Sequence, residues 1–188
     1  MRLFLALMPS PALLETMEGI QWTFREKAPG CRPLPSEKLH MTLRFEGWAG
    51  EREKGLLEEK GDRLATLLGH RAIPTPSPAL VLDSRAVYGL GILTFAPEGP
   101  EPPPWRIVRE YLGGFDSGRP FWPHVTLFRR FRPAHREALP LTERAPSGFS
   151  EIALYESLPG AGGSLYRTLR RWLLDPGNGS STSPTESA

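Results

Sequence analysis

The sequence is short of cysteine, lysine, histidine and long apolar runs, and each shortage removes a class of explanation. Cys31 stands alone among 188 residues, so an internal disulfide framework is excluded. A reducing compartment suits such a chain, and the cytoplasm is the expected location. Lysine occurs only at Lys27, Lys38, Lys54 and Lys60, so arginine carries most of the positive charge. The net charge of +2 commits the chain to no particular partner, but the planar fork of arginine suits phosphate. The histidines are His40, His70, His124 and His135. A zinc centre needs three or four ligands; His70, His135 and Cys31 fall at no such spacing, so no metal and no other cofactor is expected. No stretch approaches the length of a membrane span. Met1 to Met8 has a shorter apolar core than a signal peptide and no cleavage site behind it, so it reads as a buried first strand.

What is present is a pair of matching stretches, Leu39-His40-Met41-Thr42-Leu43 and Pro123-His124-Val125-Thr126-Leu127. Each is His-x-Thr-aliphatic, inside a run whose apolar residues alternate as in a half-buried strand. Side chains of a strand point alternately to its two faces. Leu39, Met41, Leu43 and Phe45 therefore share one face, and His40, Thr42 and Arg44 the other. In the second run Val125 and Leu127 pack while His124 and Thr126 project. Arg129 has the parity of the packed pair. It joins the histidine face only if the strand ends or bulges after Leu127; by strict alternation Arg130 or Arg44 is better placed.

The remaining chain reads as mixed α and β. Leu3 to Met8 is a strand covered on both faces. Ser10 and Pro11 offer an N-cap and a first helical residue, and Leu13, Met17, Ile20 and Phe24 form one helical stripe. Glu51 to Leu68 is an amphipathic helix that Gly61 weakens by about 1 kcal/mol relative to alanine. Ala79 to Asp83 and Ala86 to Phe95 are strands about a turn at Asp83-Ser84-Arg85. A proline-rich connector spans Pro97 to Pro104, a short helix Trp105 to Leu112, and a loop Gly113 to Pro120. Phe149 to Tyr155 is a strand, Gly160 to Gly163 a turn, and Leu165 to Leu174 a helix or an extended segment. Asp175 to Ala188 has nothing to bury and reads as a disordered tail, leaving residues 1 to 174 as a single domain. The element order gives an α+β fold with mostly antiparallel pairing.

Two histidines and two threonines on facing strands suit a phosphodiester. Attack by water at phosphorus needs one proton taken and one delivered to the departing oxygen, and imidazole does either near neutrality. Hydroxyl donors stabilise the charge that grows on the non-bridging oxygens. Phe45, Trp48, Trp122 and Phe128 lie near the motifs; they read as core residues first and as stacking platforms for bases second. Arg132, His135 and Arg136 extend a basic neighbourhood.

With these stretches quoted, the chain resembles the 2H phosphoesterase family, specifically the bacterial RNA 2′,3′-cyclic phosphodiesterases, also called 2′-5′ RNA ligases. The resemblance runs through the opening strand Met1-Arg2-Leu3-Phe4-Leu5-Ala6-Leu7, through Leu39 to Phe45 and Phe121 to Arg129, and through a closing segment with Leu154-Tyr155-Glu156-Ser157, Gly162, Tyr166 and Leu169. It implies a bilobal fold: two pseudo-symmetric, mostly antiparallel sheets with flanking helices and a central cleft. It implies metal-independent opening of a terminal 2′,3′-cyclic phosphate to a 2′-phosphate. His40 would be the proton donor and His124 the proton acceptor, and Thr42, Thr126 and Arg129 would bind the phosphate. The expected partners are RNA ends or nucleotides carrying the cyclic phosphate, met by a monomer away from any membrane. Two other readings stay open: 2′-5′ joining of RNA ends at the same site, and a non-catalytic RNA- or nucleotide-binding module.

Overall fold

The computed structural model describes residues 1–27, 30–75, 79–85, 90–95, 103–112, 123–131, 137–140, 148–160 and 163–174. Phe121, Trp122, Arg132, His135, Arg136, the loop 113–120, most of the connector and the tail 175–188 lie outside them. Among the described residues are nine strands and three α-helices: β1 (Arg2–Pro9), α1 (Pro11–Lys27), β2 (Arg32–Pro33), β3 (Met41–Trp48), α2 (Glu51–Leu67), β4 (Ala79–Arg85), β5 (Leu90–Phe95), α3 (Pro103–Leu112), β6 (His124–Arg129), β7 (Glu137–Pro140), β8 (Phe149–Gly160) and β9 (Gly163–Leu173). The fold is α+β, and every strand pairing among these elements is antiparallel.

The strands follow one path, β7-β4-β5-β6-β3-β1-β8-β9, with β2 added beside β6. The middle of the chain builds one end of this path, and the two outer parts of the chain build the other. The ends join at β3 and β6 through a single registered pair, Met41 with Val125.

β1 shows how the two faces are used. Leu3, Leu5 and Leu7 point into the main core, which also takes Leu13, Met17 and Phe24 of α1, Leu57, Leu64 and Ala65 of α2, and Trp105 and Val108 of α3. All three helices therefore cover one face of the sheet. Phe4 and Ala6 point the other way and pack with Ala153 and Tyr155 of β8. Ser10 caps α1: its Oγ accepts the Leu13 N–H at 3.2 Å and its carbonyl accepts the Leu14 N–H at 2.8 Å, with Pro11 in the first turn, where its missing N–H costs nothing.

Several local expectations shift. The turn expected at Asp83-Ser84-Arg85 is strand instead, because these residues pair with Ile92, Gly91 and Leu90; ladder bonds from a neighbouring strand outweigh local turn preference. The segment from Leu165 is extended, paired with β8 along its whole length. β2 and β7 are short strands that the apolar pattern does not reveal. Gly61 is a point of close approach in α2: a Cβ there would lie 2.3 Å from the indole of Trp172 in β9.

Candidate functional site

The two motif strands are neighbours at the centre of the sheet. In an antiparallel pair the residues on either side of a registered pair also oppose each other. The Met41–Val125 pair therefore sets His40 across from Thr126 and Thr42 across from His124. All four share one face, with opposed Cβ atoms about 4.5–5.5 Å apart and the histidines on a diagonal of about 7–8 Å. Burial follows the same division. Met41, Leu43, Val125 and Leu127 are buried, while His40, Thr42, His124 and Thr126 are half-buried on the face without helices.

Both strands carry a bulge at the same place. β1 pairs Ala6 with Thr42 and Leu5 with Arg44, so Leu43 is skipped. β5 pairs Ile92 with Thr126 and Gly91 with Phe128, so Leu127 is skipped. An extra residue reverses the alternation beyond it. Phe128 therefore turns into the main core beside Val125 and Leu127, stacked on Phe131 with ring centroids 5.0 Å apart. Arg129 turns to the face of Thr126. In β3 the same device turns Phe45 to the face of Thr42, opposite Phe4, and leaves it 49% exposed. The core position expected for Phe45 from strict alternation is thus corrected by the bulge at Leu43. Arg44 faces away from the histidines and pairs with Glu46 at 2.7 Å, and Arg130 lies past the end of β6 with φ +55°. Of the three arginines weighed from the sequence, Arg129 is the one on the histidine face.

His40 sits in an aromatic corner. Its ring lies 5.1 Å from Phe4 and 5.4 Å from Tyr166, the latter edge-on at 89°; Phe4 in turn stacks on Tyr155 at 5.3 Å. His40 Nδ1 donates to the Lys38 carbonyl at 2.8 Å. A carbonyl only accepts, so Nδ1 carries the proton and Nε2 is left to face a ligand. Burial in this corner pushes the His40 imidazole below its ordinary pKa; the Lys38 carbonyl opposes that shift, and nearby His124 adds to it.

The sheet curls far enough for its distant strands to meet over this face. The Arg129 guanidinium of β6 reaches Gly163 at the start of β9, where an added Cβ would stand 2.8 Å from Nη1. Burial raises the Tyr166 hydroxyl above its usual pKa, and Arg129 draws it partly back. The bulge beneath Arg129 is clamped from α1: Gln21 Nε2 donates to the carbonyls of Leu34 and Leu127, each at 2.9 Å, and the Leu34 N–H donates to the Leu127 carbonyl at 2.8 Å.

The structure thus brings together His40, Thr42, His124, Thr126 and Arg129. Sequence reasoning misses the ring contacts of Phe4 and Tyr166 with His40 and the clamp from Gln21. Phe4 has the strand parity opposite to Leu3 and Leu5, which is a usable signal; nothing in the sequence marks Gln21. Among the described residues no three His, Cys, Asp or Glu side chains gather as metal ligands, and no helix is long and apolar enough to cross a membrane.

No family model matches the chain. It is 30% identical over 159 residues, covering 76% of this chain and 80% of the relative, to the RNA 2′,3′-cyclic phosphodiesterase of Escherichia coli K12. Its structure is similar to TT0787 of Thermus thermophilus, with a TM-score of 0.63, 25% identity and coverage of 93% and 98% of the two chains. It is also similar to E. coli LigT complexed with 3′-AMP, with a TM-score of 0.55, 28% identity and coverage of 92% and 97%.

Proposed function

This chain belongs to the 2H phosphoesterases, among the RNA 2′,3′-cyclic phosphodiesterases, and we propose that it opens the 2′,3′-cyclic phosphate at the end of an RNA to a 2′-phosphate. The observation that carries this reading is the Met41–Val125 pair, which opposes each histidine to the other motif's threonine on one half-buried face.

In this mechanism the cyclic phosphate lies in a central cleft, formed where the halves of the curled sheet face each other and bridged by Arg129. His124 accepts a proton from a water molecule as its oxygen attacks phosphorus. The bond from phosphorus to O3′ breaks, and His40 delivers its Nε2 proton to that oxygen, leaving a 3′-hydroxyl and a 2′-phosphate. Thr42 and Thr126 donate to the non-bridging oxygens, and Arg129 neutralises them. No step needs a metal ion.

Burial disfavours the charged form of His40 in the free protein, whereas an acid must arrive protonated. The phosphodiester resolves the conflict, because an anion beside an imidazole favours the imidazolium. Substrate binding then draws in the proton that the reaction delivers. Phe45, exposed on the same face and at the position in its motif that Arg129 holds in the other, is the platform on which the terminal base stacks.

The test is incubation with an oligonucleotide ending in a 2′,3′-cyclic phosphate, in the presence of EDTA. Wild type opens the ring, and His40→Ala and His124→Ala each lose about 10²-fold or more. No opening by wild type, or undiminished opening by both variants, refutes the mechanism. Adding an acceptor RNA with a 5′-hydroxyl distinguishes end joining by its product.

A further inference from the structure

β2 is only two residues long, yet it places Arg32 directly opposite Arg129 of β6. Directly paired residues of antiparallel strands project from the same face, so Arg32 stands on the face that carries Arg129 and the two motifs. Both arginines are exposed. Like charges directly opposed across a ladder are destabilising, and among the described residues no carboxylate pairs with either one.

The juxtaposition is also held in place. Gln21 binds the carbonyls of Leu34 and Leu127, which flank β2 and the bulge of β6, and the Leu34 N–H binds the same Leu127 carbonyl. Two cationic residues paired across a braced ladder, with no carboxylate partner among the described residues, suit a ligand with two anionic groups. Arg129 leans over the histidine face toward Gly163 and Tyr166; Arg32 is its registered partner on β2, outside the two motif strands.

We propose that Arg32 binds the phosphodiester immediately upstream of the reacting end, so that the site takes the last two phosphates of an RNA chain, one against each arginine, and prefers oligonucleotides to mononucleotides. The proposal rests on the reading of the face as a site for RNA ends. Arg32 lies outside both His-x-Thr stretches, and its side chain takes no part in the proton transfers.

The experiment compares a short oligonucleotide ending in a 2′,3′-cyclic phosphate with a mononucleoside 2′,3′-cyclic phosphate, which has no upstream phosphodiester. Arg32→Ala lowers kcat/KM for the oligonucleotide about 10-fold more than for the mononucleoside. The excess appears in KM, and Arg32→Lys recovers part of it. The dependence of oligonucleotide affinity on salt becomes shallower by about one phosphate contact. Equal effects on the two substrates, or none on either, overturn the proposal. The same variants are measured for binding of an oligonucleotide ending in a 2′-phosphate against a nucleoside 2′-phosphate. If wild type hydrolyses nothing, the hydrolase reading falls, while the ratio of affinities still decides for or against Arg32. Circular dichroism of each variant shows that the fold is intact.

Discussion

Replacing Gly61 by alanine sets two opposite effects against each other in one helix. Alanine is favoured over glycine by about 1 kcal/mol in a helix interior, so on propensity alone the change stabilises α2. The packing says otherwise. The new Cβ would stand 2.3, 2.4 and 2.8 Å from Cη2, Cζ2 and Cε2 of Trp172. That ring is rigid and nearly buried. Its Nε1 donates to Asp62 Oδ1 at 2.8 Å, and the Arg170 guanidinium lies 5.0 Å above it. It cannot yield as the far end of a lysine would. Forcing a methyl group into a filled space costs about 1–3 kcal/mol, and displacing the indole weakens a hydrogen bond to a carboxylate, worth about 1.5–3 kcal/mol. Set against the gain in helix propensity, these costs leave a net destabilisation of about 1.5–5 kcal/mol, the upper end applying if the hydrogen bond is lost outright. Gly55, in the same helix, has nothing within 4 Å of its added Cβ, and Gly55→Ala should stabilise by about 1 kcal/mol. Urea unfolding measures both. At an m-value of about 2 kcal/mol/M, the midpoint falls by about 0.8–2.5 M in Gly61→Ala and rises by about 0.5 M in Gly55→Ala. If Gly61→Ala is as stable as Gly55→Ala, the close approach of Trp172 to α2 is wrong.

Two further expectations concern the site. The His40 imidazole is held below its ordinary pKa in the folded chain, so the unfolded chain binds a proton more readily. Its contribution to stability is complete above the unfolded value of about 6.5 and is lost as pH falls from there through the folded value; His40→Gln should lose less stability than wild type between pH 7 and pH 5, and urea midpoints at the two pH values check this. Phe45→Ala removes an exposed ring, so the fold should persist. Stacking of a base is worth about 1–3 kcal/mol, and an increase in KM of about 5-fold or more for a cyclic nucleotide, read by steady-state kinetics, is expected; an unchanged KM removes Phe45 from the site.

Much of the fold is legible where periodicity is regular. Leu3 to Leu7, buried without a break, read directly as a strand covered on both sides, and Ser10-Pro11 mark the start of α1. Periodicity fails where the register slips. A bulge leaves no clear trace in a run such as Thr42-Leu43-Arg44-Phe45, because the sequence does not say which residue the partner strand skips. Strict alternation therefore assigns Phe45 and Arg129 to the wrong face, and only pairing with β1 and β5 reveals the reversal. Leu165, Leu169 and Trp172 are spaced as on a helix, which hides β9 until its ladder with β8 is seen. Gly61 looks like a weakness because its partner, Trp172, is distant in sequence. The histidine and threonine pairs are legible for a different reason: a half-buried polar residue between two buried aliphatics is visible in either strand without its partner. Their meeting across β3 and β6 rests on one backbone pair, which no local pattern encodes.

The placement of β8 and β9 has a consequence for how the protein is made. β1 leaves the ribosome long before its second neighbour, β8: Tyr155 donates to Met8 across 147 positions of chain. The ring that closes over His40 belongs to Tyr166, later still. A growing chain can carry both motifs while one flank of β1 stays open and the histidine corner stays unbuilt. Any chemistry that depends on that corner is withheld until β8 and β9 have both been made and have closed on β1.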